Sequence, residues 1–316
     1  MRVRSMRWPM ALVLLMAAGS TTAAQVDQRT LRAGESELHV DVVDVADADR
    51  RAQLQGWLEE VAGATLTAFG RYPLRSARVR ITQIDSNDES PVPWGQTLRR
   101  GEPSVLLFVR RDASLAELRA DWTAIHELSH LFHPYMGGDG RWLSEGLASY
   151  YQNVLRARAG MLSADEAWRR LEAGFGRGRR EDSQASLREL SRSHRGTMRV
   201  YWAGAAFWLE ADIALRRDHA SSLDEVLSRY SSCCLRGTGL VEPEAFLSRL
   251  DELSRSQVFS ALYARYAPSR EFPDLADTYR ALGIAMRDDR LAFADGPAAR
   301  LRRSIMAPPA SRPAAP

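Results

Sequence analysis

Two short stretches decide how this chain folds: HELSH at His126–His130 and WLSEGLASYY at Trp142–Tyr151. The first lies in a window with a helical pattern, and residues four apart on a helix lie on one face. Two imidazoles on that face can hold one metal ion, and Glu127 beside the first histidine reaches the open side of that ion. Three of the chain's six histidines fall between positions 126 and 133. The stretch therefore predicts a metal site on a helix.

The second stretch supplies a third ligand for that ion. Gly137–Gly140 predicts a chain reversal, and Ser144 suits an N-cap, so we expect Glu145 in the first turn of the next helix. Its carboxylate would complete a His₂Glu set with one position left for water. Two alternatives are open: Glu145 only complements the helix dipole, or His133 is the third ligand. Because Pro134 ends the helix, we expect His133 to line the site or contact a ligand.

The hydrophobic pattern predicts an α+β fold, with a small N-terminal mixed β-sheet and one long helix followed by a mostly α-helical zinc-binding half. Strands are expected in the Val/Ile/Leu-rich runs Leu38–Val43, Ala77–Ile84 and Val105–Val109. The long helix is expected over Ala48–Phe69, and a polar loop over Asp85–Pro103. Later helices are expected at Asp121–His133, Ser144–Ala159, Ser163–Phe175, Arg199–Arg217 and Ser222–Ser231, with an Arg-rich connection at Gly174–Gly196.

We divide the chain into four parts. Residues 1–24 have the pattern of a signal peptide, since three arginines precede an apolar run, Pro9–Ala18, and small residues lead to Ala24. Residues 25–115 form an N-terminal α/β subdomain, residues 116–290 a helical zinc-binding subdomain, and residues 291–316 a C-terminal tail. We expect export to the periplasm or medium, with no stable membrane insertion after the signal is removed. A retained N-terminal anchor is the alternative.

Composition argues against a polyanionic partner. The 316 residues contain 43 basic and 40 acidic side chains, and every basic one is Arg. Three of these arginines lie in residues 1–24, so the remaining chain is formally neutral. We therefore expect no nucleic-acid partner. The two cysteines, Cys233 and Cys234, are adjacent and do not have the spacing of a disulfide framework or a metal knuckle.

HELSH followed by WLSEGLASYY resembles the gluzincin (peptidase MA-like) zinc metallopeptidases, whose third ligand is the Glu of a W-x-x-E-G-x-A/T-x-Y-Y segment. VYWAGAAFWLEADIALR (Val200–Arg216), then SLDEV (Ser222–Val226), is similar to the Y-x-K-G…LD-x-x-x-R…SLD-D-V run of the glycyl aminopeptidase family. The resemblance covers Asp121–Gly283. It implies the family's catalytic domain with one Zn²⁺ held by His126, His130 and Glu145. The family's catalytic Tyr, a donor to the oxyanion, corresponds to Tyr201.

The resulting hypothesis is an exported zinc metallopeptidase that hydrolyses peptide bonds of peptide or protein substrates. A zinc-activated water would attack the carbonyl, with Glu127 as general base. An extended substrate would pair with Val105–Val109 as an edge strand. Terminal or internal cleavage and the oligomeric state are not predicted.

The alternative hypothesis is a catalytically reduced zinc-binding scaffold or interaction protein with the same fold. Two departures motivate it: Ala203 stands where the family has Lys, and no Gly-x-Met-Glu-Asn type segment, which captures a free amine, is present. A third hypothesis is an exported protein in which HELSH is incidental. The metal content of the purified protein separates the third hypothesis from the other two.

Overall fold

The N-terminal part contains a five-stranded mixed sheet. The structure is a computed structural model that describes residues 26–99, 101–288 and 290–308. The strands are β1 (Val26–Ala33), β2 (Ser36–Val43), β3 (Ser76–Ile84), β4 (Trp94–Leu98) and β5 (Ser104–Arg110). They lie in the order β1-β2-β3-β5-β4. β2, β3 and β5 are parallel, whereas β1 and β4 run antiparallel to their neighbours.

The helix α1 (Ala48–Leu66) connects the parallel strands β2 and β3. Asp47 caps its first turn by accepting from the backbone N–H groups of Asp49 and Arg50. Its buried residues, Leu54, Trp57, Leu58 and Val61 among them, join the core between the sheet and the helical half. Two parallel strands that follow each other in the chain need a long crossover connection, and α1 provides it between β2 and β3.

The rest of the described chain is mostly helical. The helices are α2 (Leu115–Ala120), α3 (Thr123–Ser129), α4 (Arg141–Arg158), α5 (Ala164–Arg180), α6 (Leu187–Ser193), α7 (Thr197–Asp218), α8 (Leu223–Cys233), α9 (Pro243–Ser254), α10 (Val258–Tyr266), α11 (Ala276–Leu282) and α12 (Pro297–Met306). A hairpin, β6 (Ile284–Arg287) and β7 (Arg290–Phe293), precedes α12. This architecture confirms the expected α+β fold, and one hydrophobic cluster runs through both parts. Among the described residues, no helix combines the length and apolarity needed to cross a bilayer.

The structure corrects the expected strands and connections. β1 and β4 were not predicted, and β4 lies inside the segment expected to be a polar loop. The run Val105–Val109 belongs to β5, which lies between β3 and β4 and is therefore no edge strand. The Arg-rich segment 174–196 is largely helical, because α5 continues to Arg180 and α6 follows. Gly174 lets that part of α5 pack against the ring of Trp202, and Gly178 leaves room for the ring of Phe272.

The expectation of a tail over residues 291–316 is wrong for the residues that form α12. α12 packs on the body of the protein through four buried residues, Ala299, Arg302, Ile305 and Met306. Ala299, Arg302 and Ile305 are three apart, and Met306 is four after Arg302, so the four lie on one helical face, which the Ala- and Arg-rich composition conceals. The signal peptide expected at 1–24, and residues 309–316, lie outside the described residues. The boundaries at residues 115 and 290 remain predictions.

A buried polar network joins α4, α7 and α8. The Tyr150 hydroxyl donates to Asp212 and the Tyr151 hydroxyl donates to Asp224, each at 2.9 Å. The Arg158 guanidinium donates to both carboxylate oxygens of Asp224, at 3.1 and 2.9 Å. All five side chains are nearly inaccessible to solvent. The two tyrosines and Asp224 of the SLDEV segment therefore fix α7 and α8 against α4. At the end of α8, Cys233 and Cys234 form a disulfide.

Helices α4 and α7 approach each other closely through two glycines. A Cβ added to Gly204 would lie 2.0 Å from the Trp142 carbonyl oxygen, and one added to Gly146 would lie 2.3 Å from the carbonyl carbon of Gly204. The Trp208 indole N–H donates to the Leu143 carbonyl at 2.8 Å across the same interface. The crossing leaves no room for a methyl group, so both positions need glycine.

We expect Gly204→Ala to destabilise the protein by about 1–3 kcal/mol, because the added methyl group forces the two helix backbones apart. Urea or thermal denaturation measures the change. Gly63→Ala on α1 is the matched control, since a Cβ there meets no atom within 4 Å. The control should be neutral or more stable by roughly 0.5–1 kcal/mol, because Ala favours a helix. Equal stability of wild type and Gly204→Ala would contradict the close-packed crossing.

Candidate active site

The first two candidate metal ligands lie on and just after α3. His126 belongs to α3, whereas His130 begins a single 3₁₀ turn, His130–Phe132. The helix expected over 121–133 is therefore shorter, and the chain is extended at His133. Asp121 accepts from the backbone N–H of Thr123 at 2.7 Å, which fixes the start of α3. The ring centroids of His126 and His130 are 5.0 Å apart, as expected for residues one turn apart.

The third candidate ligand, Glu145, lies on α4. The expected N-cap at Ser144 is wrong, because α4 begins at Arg141 with Gly140 before it. Glu145 therefore lies in the second turn. The start of α4 is held from outside the helix, since the backbone N–H of Trp142 donates to the Ser191 hydroxyl at 3.1 Å. This interaction depends on α6 folding onto α4, which local sequence cannot show.

The structure brings these three residues together. Among the described residues, one ligand atom each of His126, His130 and Glu145 lies within 4.8 Å of the other two. The Glu145 Oε2 atom is 3.3 Å from His126 Nε2 and 3.6 Å from His130 Nε2. His126 is buried, and the other two side chains are 12 % and 18 % exposed. The site is thus accessible from one side.

Hydrogen bonds on the far side of each imidazole orient the two rings. The Nδ1 atom of His126 is 2.8 Å from the Gln152 Oε1 atom, an acceptor, so this Nδ1 carries the proton. The Nδ1 atom of His130 is 3.0 Å from His133 Nε2, and His133 Nδ1 donates to the Pro134 carbonyl at 2.7 Å. This chain of bonds makes His130 Nδ1 a donor as well.

The donor set fits a zinc ion. With both Nδ1 atoms protonated, both Nε2 atoms direct lone pairs toward the Glu145 carboxylate. Lone pairs and a carboxylate repel one another unless a proton or a cation lies between them. Two imidazole nitrogens and one carboxylate oxygen are also ligands that zinc prefers, and hydrogen bonds behind the imidazoles are usual at such sites.

Protonation equilibria in the site favour an ionised Glu145 and a neutral His130, but they do not favour a neutral His126. Burial alone would raise the pKa of Glu145, but the neighbouring His130 and His126 more than offset it and hold the pKa at about 2. Burial lowers the pKa of His130 and of His133. For His126, burial acts downward, but the Glu145 carboxylate outweighs it and raises the pKa. Glu145 is therefore ionised and at least one histidine ligand is readily neutral near pH 7.

Glu127 is buried beside the ligands and is held by β4. The Thr97 hydroxyl lies 2.9 Å from Glu127 Oε2 and 2.8 Å from the Glu127 carbonyl oxygen. A Cβ on Gly95 would lie 2.6 Å from Glu127 Cγ, so this strand approaches α3 too closely for any larger residue. Sequence analysis missed both residues because it placed no strand here.

Tyr201 on α7 faces the candidate ligands. Its ring stacks on His126 with centroids 5.8 Å apart and planes 5° apart. Burial and the nearby Glu145 carboxylate raise the pKa of Tyr201. The phenol therefore keeps its proton at neutral pH and can act as a hydrogen-bond donor.

Two further residues that sequence analysis did not identify support the site. Gln152 lies seven residues after Glu145, and two helical turns place both side chains on one face of α4, so helical spacing could have found it. Arg99, just after β4, donates to the carbonyl oxygens of His130 and His133. Burial lowers the pKa of Arg99 to about 10, and local sequence gives no signal for this long-range contact.

Comparison with known proteins finds similarity in sequence and in fold. Residues 128–235 match the sequence model of the M61 glycyl aminopeptidase family. No curated protein sequence matches the chain significantly. Among solved structures, an aminopeptidase N family protein from Idiomarina loihiensis is similar, with 14 % identity, a TM-score of 0.60, and coverage of 85 % of this chain and 52 % of that one.

Two other solved structures share the fold. A two-domain M1 zinc metallopeptidase, an E323A mutant bound to L-arginine, has 18 % identity and a TM-score of 0.52 over 79 % of this chain and 53 % of that one. Legionella pneumophila aminopeptidase A, in complex with aspartic acid, has 14 % identity and a TM-score of 0.52 over 78 % of this chain and 28 % of that one. The chain spans about half the length of the first two of these structures. It has a gluzincin-type peptidase fold and, in residues 128–235, the sequence pattern of the M61 glycyl aminopeptidases, findings that support a zinc metallopeptidase.

Proposed function

We propose that this protein is an exported, zinc-dependent metallopeptidase that hydrolyses peptide bonds. The observation that carries the proposal is the convergence of His126 Nε2, His130 Nε2 and the Glu145 carboxylate beside a buried second carboxylate, Glu127. The proposal of export rests on the signal-peptide pattern of residues 1–24. In this proposal one Zn²⁺ per chain is held by the two histidines and Glu145.

Zinc bound at these residues supplies a Lewis acid and lowers the pKa of a water toward about 7. Glu127 accepts the proton of the attacking water and later returns it to the leaving amine. The Thr97 hydroxyl bond to Glu127 Oε2 limits rotation of the carboxylate, so its other oxygen remains available to accept that proton.

Tyr201 stabilises the negative charge that develops on the substrate carbonyl oxygen. Its raised pKa keeps the hydroxyl protonated, and the stack on His126 brings the phenol to the ligand cluster. A fixed donor at this position binds the developing oxyanion more strongly than the neutral carbonyl, and that difference lowers the barrier.

The edge strand β4 offers a binding surface for an extended peptide. Within the described chain β4 pairs only with β5, so the backbone groups of its outer edge are free to pair with a substrate strand. Its Thr97 and Gly95 touch Glu127, which brings a peptide on this edge close to the proton acceptor. Two exposed aromatic side chains, Trp94 on β4 and Trp122 before α3, flank this region and are suited to contact apolar substrate residues.

We expect Glu127→Gln to lower kcat by at least about 100-fold on a peptide that the wild type cleaves, because the amide cannot accept the proton. Zinc content should stay near one per chain in both proteins, as measured by elemental analysis. The exposed Glu35→Gln on the β1–β2 turn is the matched control and should keep full activity. Equal turnover by wild type and Glu127→Gln would favour the scaffold hypothesis, and a wild type without zinc would favour an incidental HELSH.

We expect Tyr201→Phe to lower kcat by roughly 10- to 1000-fold while changing KM and zinc content little, because the lost donor acts mainly in the transition state. Steady-state kinetics on one peptide series gives both constants. Tyr230→Phe removes a phenol on α8 and is the control. An unchanged kcat for Tyr201→Phe would show that its ring serves only to pack against His126.

We expect His133→Ala to weaken zinc binding about 10- to 100-fold, because His130 loses the acceptor that fixes its proton on Nδ1. Competition with a chromogenic chelator measures the affinity. His133→Asn restores a side-chain acceptor and should recover part of the loss, whereas the exposed His194→Ala should have no effect. If His133→Ala bound zinc as tightly as wild type, the orienting role of the bond would be refuted.

A further inference from the structure

Arg141, the first residue of α4, has an unusual environment beside the site. Its guanidinium carbon lies 5.8 Å from the centroid of the Tyr201 ring. Its side chain makes no hydrogen bond or ion pair with the part of the chain that the structure describes, and its Nη1 atom is buried without an acceptor. A guanidinium has five N–H donors, so this side chain has most of its binding capacity unused.

The neighbouring arginines differ in this respect. Arg99 donates to two backbone carbonyls behind the ligands. Arg192, near the start of α4, forms an ion pair with Asp139. Of these three arginines, only Arg141 makes no hydrogen bond or ion pair with the described residues.

Helix stability does not account for this cation. The N-terminal end of a helix carries partial positive charge, so a cation in the first turn is disfavoured. The cation–π contact with Tyr201 partly stabilises the guanidinium in this position. Its position therefore suits interaction with a bound molecule.

We propose that Arg141 binds a carboxylate group of the peptide substrate and so determines which peptides are preferred. The inference rests on the proposed peptidase function. The Tyr201 ring centroid lies 5.8 Å from the Arg141 guanidinium carbon and 5.8 Å from the His126 ring centroid, so the guanidinium lies within about 12 Å of His126. An extended peptide advances about 3.4 Å per residue, so the carboxylate belongs within about three residues of the cleaved bond. A planar guanidinium fork pairs with a carboxylate through two parallel hydrogen bonds.

The carboxylate can come from two sources, the free C-terminus of a short peptide or the side chain of an acidic residue. Matched peptides separate them. One pair has the same sequence with a C-terminal acid or a C-terminal amide. A second pair, amidated in both members, has Glu or Gln at positions up to three residues from the cleaved bond.

Binding is measured by calorimetry on zinc-loaded Glu127→Gln protein, so that the peptide is not consumed. We expect the carboxylate member of at least one pair to bind about tenfold more tightly than its neutral partner. In the double variant Glu127→Gln, Arg141→Gln, this binding ratio should fall close to one. With Arg141→Lys it should be intermediate, because the charge remains but the planar guanidinium with its two parallel donors is lost. The pair that shows the effect identifies the source of the carboxylate.

The matched control is Arg169→Gln. Arg169 also lies over an aromatic ring, that of Phe293, but it makes no contact with the site. It should preserve the binding ratio. Thermal denaturation of each variant checks that it is folded. Two results would overturn the proposal. One is that the Glu127→Gln protein, which keeps Arg141, binds the carboxylate and neutral members of both pairs equally. The other is that the preference for the carboxylate member persists after Arg141→Gln.

The outcomes also separate this proposal from the proposed function. If the protein with Glu127 hydrolyses no peptide but the binding ratio depends on Arg141, the inference stands and the peptidase function fails. If hydrolysis is efficient but kcat/KM is equal for acid and amide peptides and for Glu and Gln peptides, the function stands and the inference fails.

Discussion

The close approach of α4 and α7 is the constraint on which the site depends. Gly146 and Gly204 bring the two backbones into contact, and each lies near a residue of the site: Gly146 follows Glu145, and Gly204 lies three residues after Tyr201. A side chain at either glycine would separate the carboxylate from the phenol. Because packed interiors do not deform continuously, a small expansion there would displace both groups from the histidines on the neighbouring helix.

Around this contact, both imidazoles and Glu127 have defined hydrogen-bond partners. Gln152 fixes one imidazole, His133 fixes the other, and Thr97 fixes Glu127. Buried polar groups are stable only when they are hydrogen-bonded, so these partners are needed for folding as well as for orientation. The same bonds set the tautomers in which both Nε2 atoms are free. The two Nε2 atoms and Glu127 are thus held in position in advance, as the proposed metal binding and proton acceptance would need.

The part of the site near β4 and Arg141 differs from the part formed by the candidate ligands. Among the described residues the outer edge of β4 has no strand partner, which suits pairing with an extended backbone, and Arg141 adds a positive charge at some distance from the candidate ligands. Neither feature was expected. β4 is a short, polar WGQTL segment whose strand conformation arises from pairing with β5, and such pairing leaves little trace in local sequence. The face of α12 that packs on the core was likewise hidden by its Ala and Arg content.

The sequence by itself determined the ligand set as a prediction, because HELSH and WLSEGLASYY combine residue types whose chemistry and helical spacing are informative without a fold. It also determined the α+β class and the long helices, since hydrophobic periodicity is a local property. Only the tertiary structure decided that His133 contacts His130 while Glu145 lies beside both His126 and His130, that β4 rather than β5 is the edge strand of the described sheet, and that Arg141 faces Tyr201. These arrangements join residues distant in the chain or depend on ring orientation, and burial, hydrogen bonding and helix packing fix them only after the chain has folded.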